Sequence, residues 1–231
     1  MRKSFTLDIH SMTLDTLPVL LAATGYFIGT IPVAVRNSVP VISLPVIESD
    51  GSVLPALHFE YNETFGYNPA HTLEVLLGVA KGLTAVMIAR FSAVALGADV
   101  FPAIALCAVF VVLGDCFPFF WRTAHRRGIS VAAGAALGIN ILPVILFIIM
   151  FMTGYFVIRR AKAVGSIGGA LGTVVLMLAA PKNLLYLTST VEGTEIVKLK
   201  TIAAVVALAI FVRHIQPMQA VFRRDDGTPV E

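Results

Sequence analysis

Charge is scarce in this chain. Only 13% of its 231 residues are Asp, Glu, Lys or Arg, whereas a soluble domain carries roughly a quarter. An ordinary water-soluble domain is therefore excluded. Cysteine is nearly absent as well. Cys107 and Cys116 both lie in one apolar segment, so neither a disulfide framework nor a zinc site can be built from them. No internal repeat and no low-complexity linker is visible. The net charge of +3 is small, and the basic residues sit at the ends of apolar segments. That pattern orients a protein in a membrane and does not suit nucleic-acid binding. The N-terminus does not read as a cleaved signal peptide. Arg2 and Lys3 are followed by a polar stretch with Asp8, His10 and Asp15, and no apolar run stands beside them.

What the chain does have is hydrocarbon. It is 57% hydrophobic, with mean hydropathy +0.86. The expected class is all-α, a polytopic integral membrane protein with about seven transmembrane helices in a single domain. Spans are expected at about 17–35, 72–95, 101–121, 128–139, 142–158, 164–180 and 199–214, with Met1–Thr16 as a polar lead-in. The first span carries small residues at Gly25 and Gly29, a spacing that admits a close helix neighbour, and Pro32 kinks or ends it. The stretch Ile129–Ile158 is apolar throughout. A single helix there would run about 45 Å, well beyond a hydrocarbon core of about 30 Å. Asn140 and Pro143 interrupt it, so two spans are expected. Two spans also put the basic clusters Arg122–Arg127 and Arg159–Lys162 on one side of the membrane, where the positive-inside rule wants them.

The long polar connection, about 36–71, carries Glu48, Asp50, Glu60 and Glu63. Connections of this length are usually functional or disordered. The alternating apolar residues near Val39–Ile47 suit a short strand or an extended surface segment. A loop containing Lys182, Glu192 and Glu195 is expected after the sixth span.

The chain is organised around Leu113–Gly134, LGDCFPFFWRTAHRRGISVAAG. It crosses from one apolar segment, over a basic hinge, into the next. Arg122, Arg126 and Arg127 are always charged and fork onto phosphate or carboxylate. Gly128 then opens a helix whose free N–H groups attract anions. The plainer reading makes these residues topology determinants. Lys81 and Arg90 lie inside an apolar run, and an intramembrane cation is a functional candidate unless it snorkels or pairs. Asp115 reads as a helix-end carboxylate, with a nearby cation as its candidate partner. His214, at the end of the last span, suits general acid–base work because its pKa lies near neutral; the plainer reading is an interfacial histidine. Ser52 follows Asp50-Gly51 in a turn, and Ser166 sits among glycines as a packing residue.

These residues also resemble a family. LGDCFPFFWRTAHRRGISVAAG is similar, without a gap, to the LGHxFPVFLxFKGGKGVATxxG stretch of bacterial acyl-phosphate:glycerol-3-phosphate acyltransferases, the PlsY type. Tyr26-Phe-Ile-Gly-Thr-Ile-Pro32 resembles the first-span YLIGSIP, and Lys81-Gly82 resembles the KG of the second span. Arg160-Ala-Lys-Ala-Val-Gly-Ser166-Ile resembles RYVSLGSI, and Arg213-His214 falls at RHxxN. The resemblance covers roughly residues 20–225.

It implies a seven-helix fold in the plasma (inner) membrane with the active face cytoplasmic. It implies acyl transfer from acyl phosphate to the 1-hydroxyl of glycerol 3-phosphate in phospholipid synthesis, with no metal and no nucleotide cofactor. Carried over residue by residue, it makes Ser52 and His214 catalytic. Arg126, Arg127, Arg160, Arg213 and Lys81 become phosphate ligands. Several motifs depart from the pattern. The Gly-Lys-Gly anion loop reads His125-Arg-Arg-Gly128, which keeps the charge at Arg127 but loses glycines that let backbone N–H groups approach phosphate. The histidine of LGHxFP is Asp115, the asparagine position near the end holds Pro217, and the GSGNxGATN motif survives only as Gly51-Ser52. The alternative is therefore a catalytically degenerate relative, acting as a lipid-binding or structural subunit beside partner membrane subunits. A small transporter is the weaker alternative, since no inverted repeat is present.

Overall fold

The structure is a computed structural model, and it describes residues 5–32, 46–47, 53–54, 69–119, 128–158, 162–191 and 195–223. The helices run in the order α1 (Phe5–Thr30), α2 (Pro69–Leu96), α3 (Val100–Cys116), α4 (Ile129–Ile139), α5 (Leu142–Thr153), α6 (Lys162–Ala179), α7 (Lys182–Leu187) and α8 (Ile196–Arg223). A single π turn, Gly154–Ile158, prolongs α5. Between α1 and α2, the two-residue strands β1 (Val46–Ile47) and β2 (Val53–Leu54) pair antiparallel, Val46 opposite Leu54.

The helix α1 begins at Phe5, inside the stretch expected as a polar lead-in, and stops two residues short of Pro32. Proline has no N–H to continue the ladder, and it pushes the residue before it out of helical geometry. The last helix likewise runs past His214 to Arg223.

Helix α3 is the axis of the bundle. Ile104, Val111 and Val112 on it are fully buried, and α1, α2, α4 and α8 all pack against it. Two crossings are close enough to bring backbones into contact. A Cβ on Gly29 of α1 would strike the Val111 carbonyl and come within 2.9 Å of the Gly114 Cα on α3. A Cβ on Gly82 of α2 would strike the Val131 carbonyl of α4, and one on Gly134 of α4 would strike the Val79 carbonyl of α2. Small residues at such crossings are how helices associate where lipid removes the hydrophobic drive. On the other side, α5 packs along α6 and α6 against α8. The rings of Phe147, Phe151 and Tyr155 stack along α5, with centroids 6.0 and 6.2 Å apart.

Helix α4 has 11 residues, about 16 Å of rise, roughly half a hydrocarbon core. Its C-terminal end is closed by a segment that the sequence presented only as loop. Lys182–Leu187 is a short helix, and it buries Leu185 completely. The chain after it runs antiparallel to Asn140. The Thr190 N–H donates to the Ile139 carbonyl at 2.9 Å, and the Thr190 hydroxyl donates to the Gly138 carbonyl at 2.8 Å. Asn140, fully buried, donates from Nδ2 to the Leu185 carbonyl at 2.9 Å and accepts the Leu142 N–H at 2.8 Å. Non-helical backbone deep in a membrane protein is tolerated where protein groups satisfy it in this way.

Many outward-facing side chains are apolar. Phe91 and Val94 of α2, Val175 and Leu178 of α6, and Leu208 of α8 are all more than half exposed. Patches of this kind mark a membrane or protein-contact surface. Among the described residues, Thr72–Leu96 is the one helix long and apolar enough to cross a bilayer by itself, and five shorter apolar helices accompany it.

Candidate active site

Two buried charged residues, Lys81 and Asp115, meet at one end of α3. The Lys81 side chain, buried on α2, reaches Asp115 in the last turn of α3, with Nζ 2.6 Å from Oδ1. The same ammonium donates to two carbonyls at the end of α1, Gly29 at 2.5 Å and Ile31 at 3.1 Å. The Gly29–Gly114 crossing puts those carbonyls within reach, because no side chain separates the two backbones there. One cation thus ties the ends of α1, α2 and α3 together. The carbonyls near a helix C-terminus attract positive charge.

Beyond Asp115 the chain enters the basic hinge. Its two ends meet. A Cβ on Gly128, at the start of α4, would strike the Cys116 sulfur at the end of α3. Gly128 also has φ +70°, a left-handed conformation open to glycine and costly to other residues. It is the N-cap of α4. On the way out, the Tyr26 hydroxyl of α1 donates to the Phe117 carbonyl at 2.8 Å and accepts the Phe119 N–H at 3.2 Å.

Helix α8 brings in the last two groups. Arg213 is half-buried, and α8, which carries it, packs against α3 so that Arg213 lies near Asp115 and Cys116. His214 is fully buried, and its Nδ1–H donates to the Ile210 carbonyl at 2.8 Å. In the neutral ring this fixes the proton on Nδ1 and the lone pair on Nε2.

An apolar cleft of about 110 Å³ runs away from this end. Ile129, the residue after Gly128, and Ile210, one turn before His214, line its near end; Asn140 and Leu199 line its far end. From Leu199 to Ile210 is about 16 Å of helix. Ala136, Phe147 and Ala203 in its wall keep partial exposure, so it is a cleft and not a closed void. The two polar side chains in its wall are engaged elsewhere, Asn140 as above and Thr173 on the Gly169 carbonyl at 2.6 Å. A cleft lined in this way suits hydrocarbon.

Of the residues expected at a site, Lys81, Arg213 and His214 are therefore at one end of the bundle. The Lys81 ammonium, expected on a phosphate, is engaged by Asp115 and two carbonyls. Ser52, Arg126, Arg127 and Arg160 lie outside the described residues. Sequence reasoning missed Tyr26, which stood in its motif only as a neighbour of two packing glycines. Its signal was an interfacial tyrosine next to a helix end, a position where that ring presents a hydroxyl to polar backbone. Among the described residues no cluster of three or more His, Cys, Asp or Glu side chains is placed to hold a metal ion.

The comparisons with known proteins agree on one family. Residues 19–224 match the family described as glycerol-3-phosphate acyltransferase. A glycerol-3-phosphate acyltransferase of Cupriavidus metallidurans is 37% identical over 123 residues, 53% of this chain and 58% of that protein. The match therefore spans little more than half the length of that relative. One of Nitrosomonas eutropha is 28% identical over 174 residues, 74% of this chain and 84% of that protein. One of Ralstonia pickettii is 34% identical over 123 residues, 53% of this chain and 58% of that protein. No solved structure matches. With its helices, its lipid-facing apolar surface and a family match over nearly its whole length, this membrane protein belongs to the glycerol-3-phosphate acyltransferase family.

Proposed function

We propose that the protein transfers an acyl group from an acyl phosphate to the 1-hydroxyl of glycerol 3-phosphate, releasing inorganic phosphate and lysophosphatidic acid. The observation that carries this reading is the junction of two environments. The cleft is lined by hydrocarbon, and its near end, at Ile129 and Ile210, abuts the helix start after the basic hinge and the turn that holds Arg213 and His214. An acyl phosphate needs that combination, an apolar slot for the chain and cations for the head.

In this reading the bundle crosses the inner membrane seven times, by α1, α2, α3, α4 closed by the Asn140–Thr190 segment, α5, α6 and α8. The connections around 33–68, 120–127 and 159–161 and the C-terminal tail then share the cytoplasmic face, as the basic residues of the last three favour. Arg126, Arg127, Arg160 and Arg213 hold the two phosphates, and Ser52, between β1 and β2 in the sequence, orients the acceptor. The hydroxyl oxygen attacks the acyl carbon, the bond to the phosphate oxygen breaks, and the hydroxyl proton passes to Nε2 of His214. Positioning and charge stabilisation supply most of the rate, and a buried base protects the acyl phosphate from water. Lys81 stands outside this phosphate set, because its ammonium is held by Asp115 and the α1 carbonyls.

One observation favours a second reading, a catalytically degenerate lipid-binding or structural subunit of a membrane complex. A carboxylate, Asp115, neutralises a cation that the family pattern places beside a histidine. Release of lysophosphatidic acid by the purified protein, supplied with acyl phosphate and glycerol 3-phosphate, separates the two.

A further inference from the structure

We infer that the packed floor of the apolar cleft is a length gauge for the acyl donor, and that Leu199 is the residue that sets it. This rests on the acyl-transfer reading above and adds which donors the site takes. The gauge follows from the shortness of α4. Its 11 residues carry it only about halfway across a hydrocarbon core, so other elements must fill the space beyond its last turn. Leu142 of α5, Met177 of α6, Leu185 of α7 and Leu199 of α8 do so, buried in one cluster with Ile139 of α4. Met177 and Leu185 have no exposure at all. Asn140 holds α7 there through the Leu185 carbonyl and accepts the Leu142 N–H, so both ends of its amide are engaged. Ile139, Asn140 and Leu199 line the cleft at this end. Met177 stands one turn beyond Thr173, the last residue of its row on α6 to reach the cleft. The cleft stops where this packing begins.

Leu199 and His214 share the single helix α8. The distance from floor to site is therefore set by one rod, about 22 Å of rise over that interval. The cleft itself, from Ile210 to Leu199, takes about 16 Å of it. Carbon–carbon bonds of about 1.5 Å meeting at about 111° advance an extended chain by about 1.25 Å each. About 13 carbons then fill the cleft from mouth to floor. A much longer chain must double back, displace Leu199, or leave past Ala136 and Ala203, which keep partial exposure.

The test gives the full-length protein glycerol 3-phosphate and an equimolar pool of saturated acyl phosphates of about 8 to 18 carbons, lengths that bracket the cleft. Chain lengths in the lysophosphatidic acid are read by mass spectrometry. The wild type is expected to favour chains of about 12–14 carbons. Leu199→Phe raises the floor and is expected to lower the ratio of long-chain to short-chain product at least about tenfold. Leu199→Ala deepens the cleft and is expected to raise it by a similar factor, the low end of what a fitted apolar pocket gives for a methylene. These ratios are taken within one sample, so a smaller folded fraction does not move them. Val86→Ala opens a cavity at a fully buried residue of α2 that does not line the cleft, and is expected to keep the wild-type profile. An unchanged profile in both Leu199 variants would overturn the inference and leave the transferase standing, and so would a wild-type preference for the longest donors. A wild-type protein without turnover would sink the acyl-transfer reading instead. A dodecyl phosphate with a diazirine at its chain end then decides the gauge. Labelling of Ile139, Met177 or Leu199 would uphold it, and labelling confined to outward-facing residues such as Val175 and Leu208, or none, would overturn it.

Discussion

Lys81 and Asp115 form a buried ion pair, 2.6 Å from Nζ to Oδ1, with both side chains only 6% exposed. They come from different helices, and two backbone carbonyls complete the coordination of the ammonium. A pair this enclosed contributes little net stability compared with well-packed hydrocarbon, but breaking it strands a charge. Either single change, Lys81→Met or Asp115→Leu, is expected to cost about 3–5 kcal/mol. The double change is expected to recover most of that loss. Thermal unfolding of the three variants in one detergent checks this, and a double variant no better than the worse single one would contradict it.

Asn140 closes the short helix α4 on the side away from the site. Asn140→Leu leaves the Leu185 carbonyl and the Leu142 N–H without their partners. Each unmet buried group costs about 1–3 kcal/mol. Because Asn140 also lines the far end of the cleft, the expected outcome is a lower unfolding temperature, with turnover of short-chain donors per folded molecule within about twofold of wild type. A stable variant with altered turnover would relocate Asn140 from the scaffold to the site.

Gly128 is required for two separable reasons, its φ of +70° and its contact with the Cys116 sulfur. Gly128→Ala meets both. Adding Cys116→Ala removes the steric part and leaves the backbone cost, about 1–2 kcal/mol. The double variant is therefore expected to unfold above Gly128→Ala and below Cys116→Ala. Equal unfolding temperatures for Gly128→Ala with and without the cysteine change would show that contact with Cys116 plays no part.

The cleft makes a prediction about donors. Ala136→Phe and Ala203→Phe place a ring in its wall. Turnover of long-chain acyl phosphates is expected to fall at least about tenfold further than that of short-chain donors, since several methylenes lose burial at about 0.8 kcal/mol each. Equal losses for both donor lengths would place the acyl chain elsewhere.

Much of this was legible in the residues, and the rest was hidden for physical reasons. Composition fixed the helical membrane class. The break at Asn140 and Pro143 divided the apolar run Ile129–Ile158, and α4 and α5 meet there. Lys81 stood out because a cation inside hydrocarbon needs a partner, although its partner Asp115 lies 34 residues away. Tyr26 and Phe117 are 91 residues apart, and no periodicity links them. Helix α7 has six residues, too few to show a helical repeat, and its role in closing α4 depends on tertiary hydrogen bonds. The early start of α1 was masked by the polar residues between Asp8 and Asp15, which read as a lead-in.

The central claim is the proposal that the hydrocarbon cleft, together with Arg213 and the arginines assigned to phosphate, makes an acyl-phosphate-dependent transferase. The most direct measurement is release of lysophosphatidic acid from acyl phosphate and glycerol 3-phosphate by the purified protein, beside an Arg127→Ala control. The account predicts product from the wild type and a loss of at least about a hundredfold in kcat/KM in the control, the size expected when a positioned charge on a reacting phosphate is removed. A well-folded wild-type sample that makes no product would contradict it and leave the lipid-binding subunit as the better description.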